Sequence, residues 1–280
     1  MEKLKNDISI KSERPAEPIK RKRTIRAKVL KRVADIFNFF YRGPMIYNGL
    51  NSEESINLLL QNRKSLIRFG NGESEIMAGF DMGTQRYHPE LRNSLIKILN
   101  EYSESSKYYL ALTNWNLKVD VKTLKKRKNY KIWRYMRYFL WYFDIHGKSK
   151  LPFLETDMFR VGEAGLPNEL IEKLWLPYEY IIVIHNSEKY FNWFKSKYPS
   201  KTMFFIKIPD RDFFFVLEQK QREILDIFAK YDIPKNNSVI LVSAGPGAKV
   251  LCYNLSQMDF LCYDMGNYFH MRYRLEQNET

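Results

Sequence analysis

Cysteine is nearly absent. Its two copies, Cys252 and Cys262, lie in apolar runs without the paired spacing of a zinc site, which excludes a disulfide framework and makes buried, reduced thiols the expectation. Histidine is also scarce, with four residues, and none stands at metal spacing from His88, so His88 reads as a loop residue rather than a ligand or base. No run approaches the roughly 18 apolar residues that a spanning helix needs, and the first residues are charged without an apolar signal core. Any membrane contact is therefore expected to be peripheral. Acidic residues are outnumbered, 32 against 46 Lys and Arg, leaving a formal charge of +14 that suits nucleic acid, phospholipid head groups or phosphorylated substrates. What the chain has in quantity is core: 45% hydrophobic and 15% aromatic over 280 residues, enough for one main α/β domain.

Residues 1–19, with Pro15 and Pro18 among charges, are expected to form a disordered tail. From 20 to 41 the character changes. Basic residues at 20–23, 26, 28, 31 and 32 surround Ile25, Val29, Val33, Ile36, Phe37 and Phe40 at helical spacing, and Gly43-Pro44 closes the element. Two readings share that periodicity: adsorption on an anionic membrane face, where each basic residue adds roughly 1 kcal/mol, or docking on the protein's own core. The division expected is a tail over 1–19, a basic amphipathic helix over 20–44 and a single α/β domain over 45–280.

Within that domain, Asn51-Ser52-Glu53-Glu54 reads as a capped helix start, and His88-Pro89 as a turn before a helix carrying Leu91, Leu95, Ile98 and Leu99. Residues 118–143 interleave Lys and Arg, Arg137 among them, with Trp133, Tyr135, Tyr138, Phe139, Trp141, Tyr142 and Phe143. That mixture suits single-stranded nucleic acid, anionic lipid or a phosphorylated acceptor, and equally a long helix with its aromatic stripe in the core. Strand-like runs at 66–70, 108–112, 180–184, 202–208, 238–243 and 260–265 alternate with helical patterns at 187–197, 212–231 and 248–258. Such alternation predicts an open, mostly parallel sheet with helices on both faces, Rossmann-like in layout.

Two stretches look built for a ligand. In SLIRFGNGESEIMAGF, residues 65–80, an apolar run stops at Gly70-Asn71-Gly72 and a helix follows with Glu73 and Glu75 in its first turn. A carboxylate there can hold a metal or touch a phosphate, or it can simply complement a helix dipole. In VILVSAGPGAKVLCYNLSQMDFLCYDMG, residues 239–266, Gly245 and Gly247 leave room for a ligand to approach backbone N–H groups. Lys249 adds charge, and Asp264 ends the next strand at the offset of a ribose-binding acid; a purely structural strand–helix–strand unit has the same pattern. Arg160 is a candidate phosphate clamp, with Asp157 and Glu163 as alternative partners.

These motifs carry a resemblance. LIRFGNGE resembles the RFGDGE segment of the bacterial GT-D glycosyltransferases, GPGAKVLCYNL their GPTA-type loop and helix, and CYDMG their DIGH-type ending, so that most of 65–271 is covered. The resemblance implies a glycosyltransferase moving a hexose from a nucleotide sugar, a UDP-sugar such as UDP-glucose, to a bacterial surface-glycan, lipid-linked or glycoprotein acceptor. It also implies a divalent metal (Mn2+ or Mg2+) at Asn71 and Glu73, with Glu73 catalytic, and a donor held by Arg68, Gly70, Gly72, Gln85, Arg160, Gly245, Gly247, Lys249 and Asp264. Two departures stand out: Asn71 replaces an aspartate, and Asn267 a histidine, with His270 three residues on. They keep open a non-catalytic relative or a basic membrane-surface or nucleic-acid-binding protein, although nucleic acid is the less expected partner. The place expected is the cytoplasm, peripheral to the inner face of the membrane.

Overall fold

The computed structural model describes residues 25–127, 130–160 and 165–277; the expected tail, residues 20–24 and Glu163 lie outside the described residues. Seven parallel strands form one sheet in the order β3-β2-β1-β7-β6-β4-β5. They are β1 (Ser65–Phe69), β2 (Tyr108–Leu112), β3 (Phe153–Glu155), β4 (Tyr180–His185), β5 (Thr202–Lys207), β6 (Ser238–Val242) and β7 (Cys262–Asp264). The helices are α1 (Ile25–Phe40), α2 (Ser52–Asn62), α3 (Asn71–Met77), α4 (Pro89–Glu101), α5 (Asn114–Leu117), α6 (Val121–Lys126) and α7 (Tyr130–Ile145). After them come α8 (Asn168–Glu172), α9 (Glu188–Lys197), α10 (Leu217–Lys230), α11 (Gly245–Gln257) and α12 (Tyr268–Glu276).

Because strand side chains alternate, β6 sends Ile240 and Val242 to one face and Val239 and Leu241 to the other, and each face is covered. One core layer is built with α3, α4, α7, α10 and α11, the other with α2, α8, α9 and α12. Local chemistry agrees with the reading of the helix starts. Asn51 and Glu54 exchange side-chain and backbone hydrogen bonds at α2 (2.9 and 2.8 Å), and His88 caps α4 with Pro89 behind it. Cys252 and Cys262 are buried free thiols, their sulfurs 3.2 Å apart between α11 and β7.

Two expectations are corrected, and some features were not foreseen. The helix over 20–41 docks, but with most of its apolar stripe outside. Leu30, Ala34, Phe37 and Asn38 pack inward, Phe37 and Asn38 against α7, while Ile25 (83%), Val29 (57%), Ile36 (59%) and Phe40 (80%) stand exposed. Residues 118–143 are not one long helix, since Asp120 caps a separate α6 (Thr123 N donates to its Oδ1 at 2.6 Å). Arg137 in that stretch is fully buried. Finally, β3, α8 and α12 were not foreseen: β3 has three residues, too few to show an alternation, and the other two are short helices.

Candidate active site

At the carboxyl ends of β1 and β7 the chain departs in opposite directions, into α3 on one face and α12 on the other. Neighbouring strands with diverging exits leave a crevice, and here it opens into a cleft of about 630 Å³. Gly70 caps α3, and Glu73, three residues on, turns its carboxylate back so that Oε2 accepts the Gly70 N–H at 2.8 Å. That is the helix-start role its position allowed. The other oxygen, Oε1, meets Lys249 Nζ at 2.9 Å.

Lys249 projects from the first turns of α11 and is held by two acids: Asp264 Oδ2 lies 3.0 Å from the same Nζ. Its third N–H goes to the Gly245 carbonyl at 3.1 Å, so all three donors of the ammonium are used inside the protein. All three side chains are at most 7% exposed. Burial works against the lysine's charge, but Asp264 and Glu73 outweigh it and hold its pKa above the ordinary value. Asp264 is further fixed by the Arg68 N–H (3.3 Å) and the Gly266 N–H (3.1 Å). The Arg68 guanidinium donates to the Thr156 carbonyl at 2.7 Å and crosses above Gly266, whose φ of +55° and missing Cβ make room for it.

Of the residues expected in the site, Arg68, Gly70, Asn71, Glu73, Arg160, Gly245 and Lys249 line the cleft. Arg160 stands at its rim, paired with Asp157 at 2.8 Å and 59% exposed. The others serve differently. Gly72 and Gly247 are packing positions, where a Cβ collides with Met82 and with Phe213 Cδ1 (2.6 Å) respectively. Gln85 is buried, donating to the Arg86 carbonyl (3.1 Å) and accepting from Phe214 N–H (3.1 Å), which ties the loop before α4 to the segment before α10. Asp264 lies beneath the cleft floor, spent on Lys249 rather than aimed at a ribose. The Gly245-Pro246-Gly247 loop is itself the first turn of α11, with Gly245 at φ +57°.

Sequence reasoning missed the residues that follow each strand: Thr113 after β2, Thr156 after β3, His185 closing β4 and Ser243 after β6, all on the cleft wall. The signal was available in the strand ends, which parallel topology gathers on one edge. His185 accepts the Ser187 N–H at 2.9 Å on Nδ1, leaving the hydrogen on Nε2. Burial, then the neighbouring His270, pull its pKa down to about 4 against the opposing Asp210, so the ring is neutral at pH 7. Ser243 Oγ is buried and has no partner among the described residues. His270 and Asn267 also line the cleft, the His270 ring edge-on to Tyr190.

No curated protein matches the sequence. Solved structures do. One, described as the highly conserved domain of unknown function 1792 with a distinct glycosyltransferase fold, is 22% identical, with a TM-score of 0.61 over 90% of this chain and 85% of that one. A second, described as a new glycosyltransferase (DUF1792) from Streptococcus sanguinis, is 22% identical with a TM-score of 0.61 over 83% and 85%. A glycosyltransferase fold is compatible with a divalent metal, yet among the described residues no three His, Cys, Asp or Glu side chains converge to hold one. The family model for the glycosyltransferase GT-D fold matches residues 66–274, its match beginning in β1 and ending in α12, and this chain belongs to that family.

Proposed function

We propose that this protein transfers a hexose from a nucleotide sugar, a UDP-sugar by family resemblance, to a glycan, lipid-linked or glycoprotein acceptor in the cleft at the β1/β7 crevice. One observation carries the reading: the amino terminus of α11, the unpartnered Ser243 hydroxyl and the rim cation Arg160 converge on one cleft above a buried lysine. N–H groups at a helix start and fixed cations suit a diphosphate, and they stabilise the charge that grows on it as the sugar leaves. In the step, the bond from the sugar C1 to the diphosphate oxygen breaks and one to an acceptor hydroxyl oxygen forms. The hydroxyl proton is released, and the nucleoside diphosphate departs with the bonding pair. Glu73 fixes both the α3 start and Lys249, so it acts on the donor side through position and charge.

The test is a nucleotide-sugar hydrolysis screen on the full chain. UDP-sugar turnover is expected, and Glu73→Gln, which keeps the side chain's size, should lower it by about 100-fold or more while the variant still unfolds cooperatively. Normal turnover in a folded Glu73→Gln protein would remove Glu73 from the machinery. Absence of turnover with every nucleotide sugar would leave a non-catalytic relative.

The same reading extends to the protein's place in the cell. No described helix is long and apolar enough to cross a membrane. The outward stripe of α1, flanked by exposed Lys28, Lys31 and Arg32, supports peripheral adsorption on an anionic phospholipid bilayer, apolar side chains entering and cations pairing with head groups. Phe37, Tyr138 and Trp141 continue the apolar surface onto α7. Anionic vesicles should float the protein where zwitterionic ones do not, and Ile36→Asp with Phe40→Asp should release it without loss of nucleotide-sugar turnover. Equal binding to both vesicle types, or by the doubly substituted protein, would refute the surface.

A further inference from the structure

We infer that the Lys249 ammonium occupies the place of a divalent cation in this site, so that Glu73 and Asp264 are closed to metal and the donor is met by positive charge built into the chain. The part concerning the donor rests on the function proposed above; the part concerning metal does not.

The donor set argues it. A hard divalent cation bonds oxygens at about 2.0–2.6 Å and prefers several carboxylates or carbonyls around it. The two acids that reach a common point, Glu73 and Asp264, already have Nζ between them at 2.9 and 3.0 Å. A cation that bridged those two oxygens would have to take the place of the ammonium. Their second oxygens each accept a backbone hydrogen bond as well, Glu73 Oε2 from Gly70 N–H and Asp264 Oδ1 from Gly266 N–H. Expelling Nζ also breaks its bond to the Gly245 carbonyl. Asn71, the remaining member of the expected metal pair, lines the cleft with a neutral amide, which adds no full charge to attract the ion.

Charge balance points the same way. Glu73 and Asp264 are matched one for one by Lys249 and Arg68, so the buried cluster is neutral before any ion arrives. A third positive charge entering beside Lys249 and Arg68 raises the local charge in a low-dielectric setting, where like charges repel strongly. The lysine is therefore a resident cation whose field reaches the cleft floor, held at a fixed position by three hydrogen bonds.

The experiment is manganese binding by electron paramagnetic resonance on the full chain, with metal alone and with UDP added, beside nucleotide-sugar turnover after exhaustive treatment with a chelator. The wild-type protein is expected to leave the free-manganese signal intact up to millimolar metal, to add nothing to the manganese that UDP binds by itself, and to keep its turnover after chelation. Lys249→Gln, which removes the charge and opens the space between the acids, should gain manganese affinity by about 100-fold or more. Micromolar manganese binding by the wild type, with or without UDP, would overturn the inference. So would a folded Lys249→Gln protein that binds no manganese, since the acids would then not mark a cation position. Asn71→Asp in the wild-type background should change nothing while Lys249 is in place, and a strong new site in that variant would also overturn it. Because the binding measurements need no turnover, they decide the matter even where the transferase reading fails.

Discussion

Lys249→Met is expected to lower the unfolding free energy at pH 7 by about 3–5 kcal/mol, one of the two largest single effects in the molecule. The substitution leaves two carboxylates, each at most 6% exposed, without the cation between them, and breaking a buried pair costs far more than the intact pair contributes. The sign against pH follows from the lysine's raised pKa. Its stabilising contribution is fully present below the unfolded-chain value of about 10.4 and is lost as pH rises through the higher folded value. The gap between wild type and Lys249→Met in urea unfolding should therefore be constant from neutrality to about pH 10 and narrow above that. Adding Glu73→Gln to Lys249→Met removes the uncompensated charge, leaving Asp264 beside Arg68, and should restore most of the loss. A single variant as stable as wild type at pH 7 would show that the three groups are not coupled as described.

Arg137→Met is expected to cost a similar amount, about 3–5 kcal/mol, where α1 meets α7. This fully buried arginine donates to Asn38 Oδ1 (2.7 Å) and to the carbonyls of Val119 (3.1 Å), Tyr41 (3.3 Å) and Gly43 (2.6 Å). Its planar fork thus holds the end of α1, the turn after it and the segment before α6 onto α7. Lysine has neither the number nor the geometry of donors to replace it, so Arg137→Lys should rescue little. Exposed Lys125→Ala, on the same basic stretch, should stay within about 0.5 kcal/mol of wild type. Faster amide exchange confined to α1 in Arg137→Met would accompany the loss; unchanged exchange there would separate the arginine from α1 docking.

Why was the sheet legible and part of the site not? Parallel strands covered on both faces are continuous apolar runs, so YYLAL, YIIVIH and SVILV announced themselves, and the Gly-bounded turns marked where two of the strands end. The ligand-facing turns at Gly70 and Gly245 were found for the same reason. What one-dimensional spacing withholds is which charges become neighbours. Glu73, Lys249 and Asp264 were each singled out, but as separate contacts to metal, phosphate and ribose; only the β1–β7 pairing and the lie of α11 over β1 bring them to one point. Likewise the periodicity of α1 gave its apolar residues but not which of them dock: Phe37 packs on α7 together with Ala34 and Asn38, which have little hydropathy to betray them, while Ile25, Val29, Ile36 and Phe40 stay outside. Gln85 and Gly247 were read as ligand residues, since a glycine or an amide near a turn looks the same whether it makes room for a phosphate or for Phe213 and Phe214.

Helix α7 fixes a working distance. Trp133 stands on the cleft wall near its start, and Trp141 reaches the outward apolar surface further along. At 1.5 Å per residue the two are about 12 Å apart along the axis. One helix thus carries both surfaces, so a change that shifts α7 moves the cleft wall and the outward apolar face together.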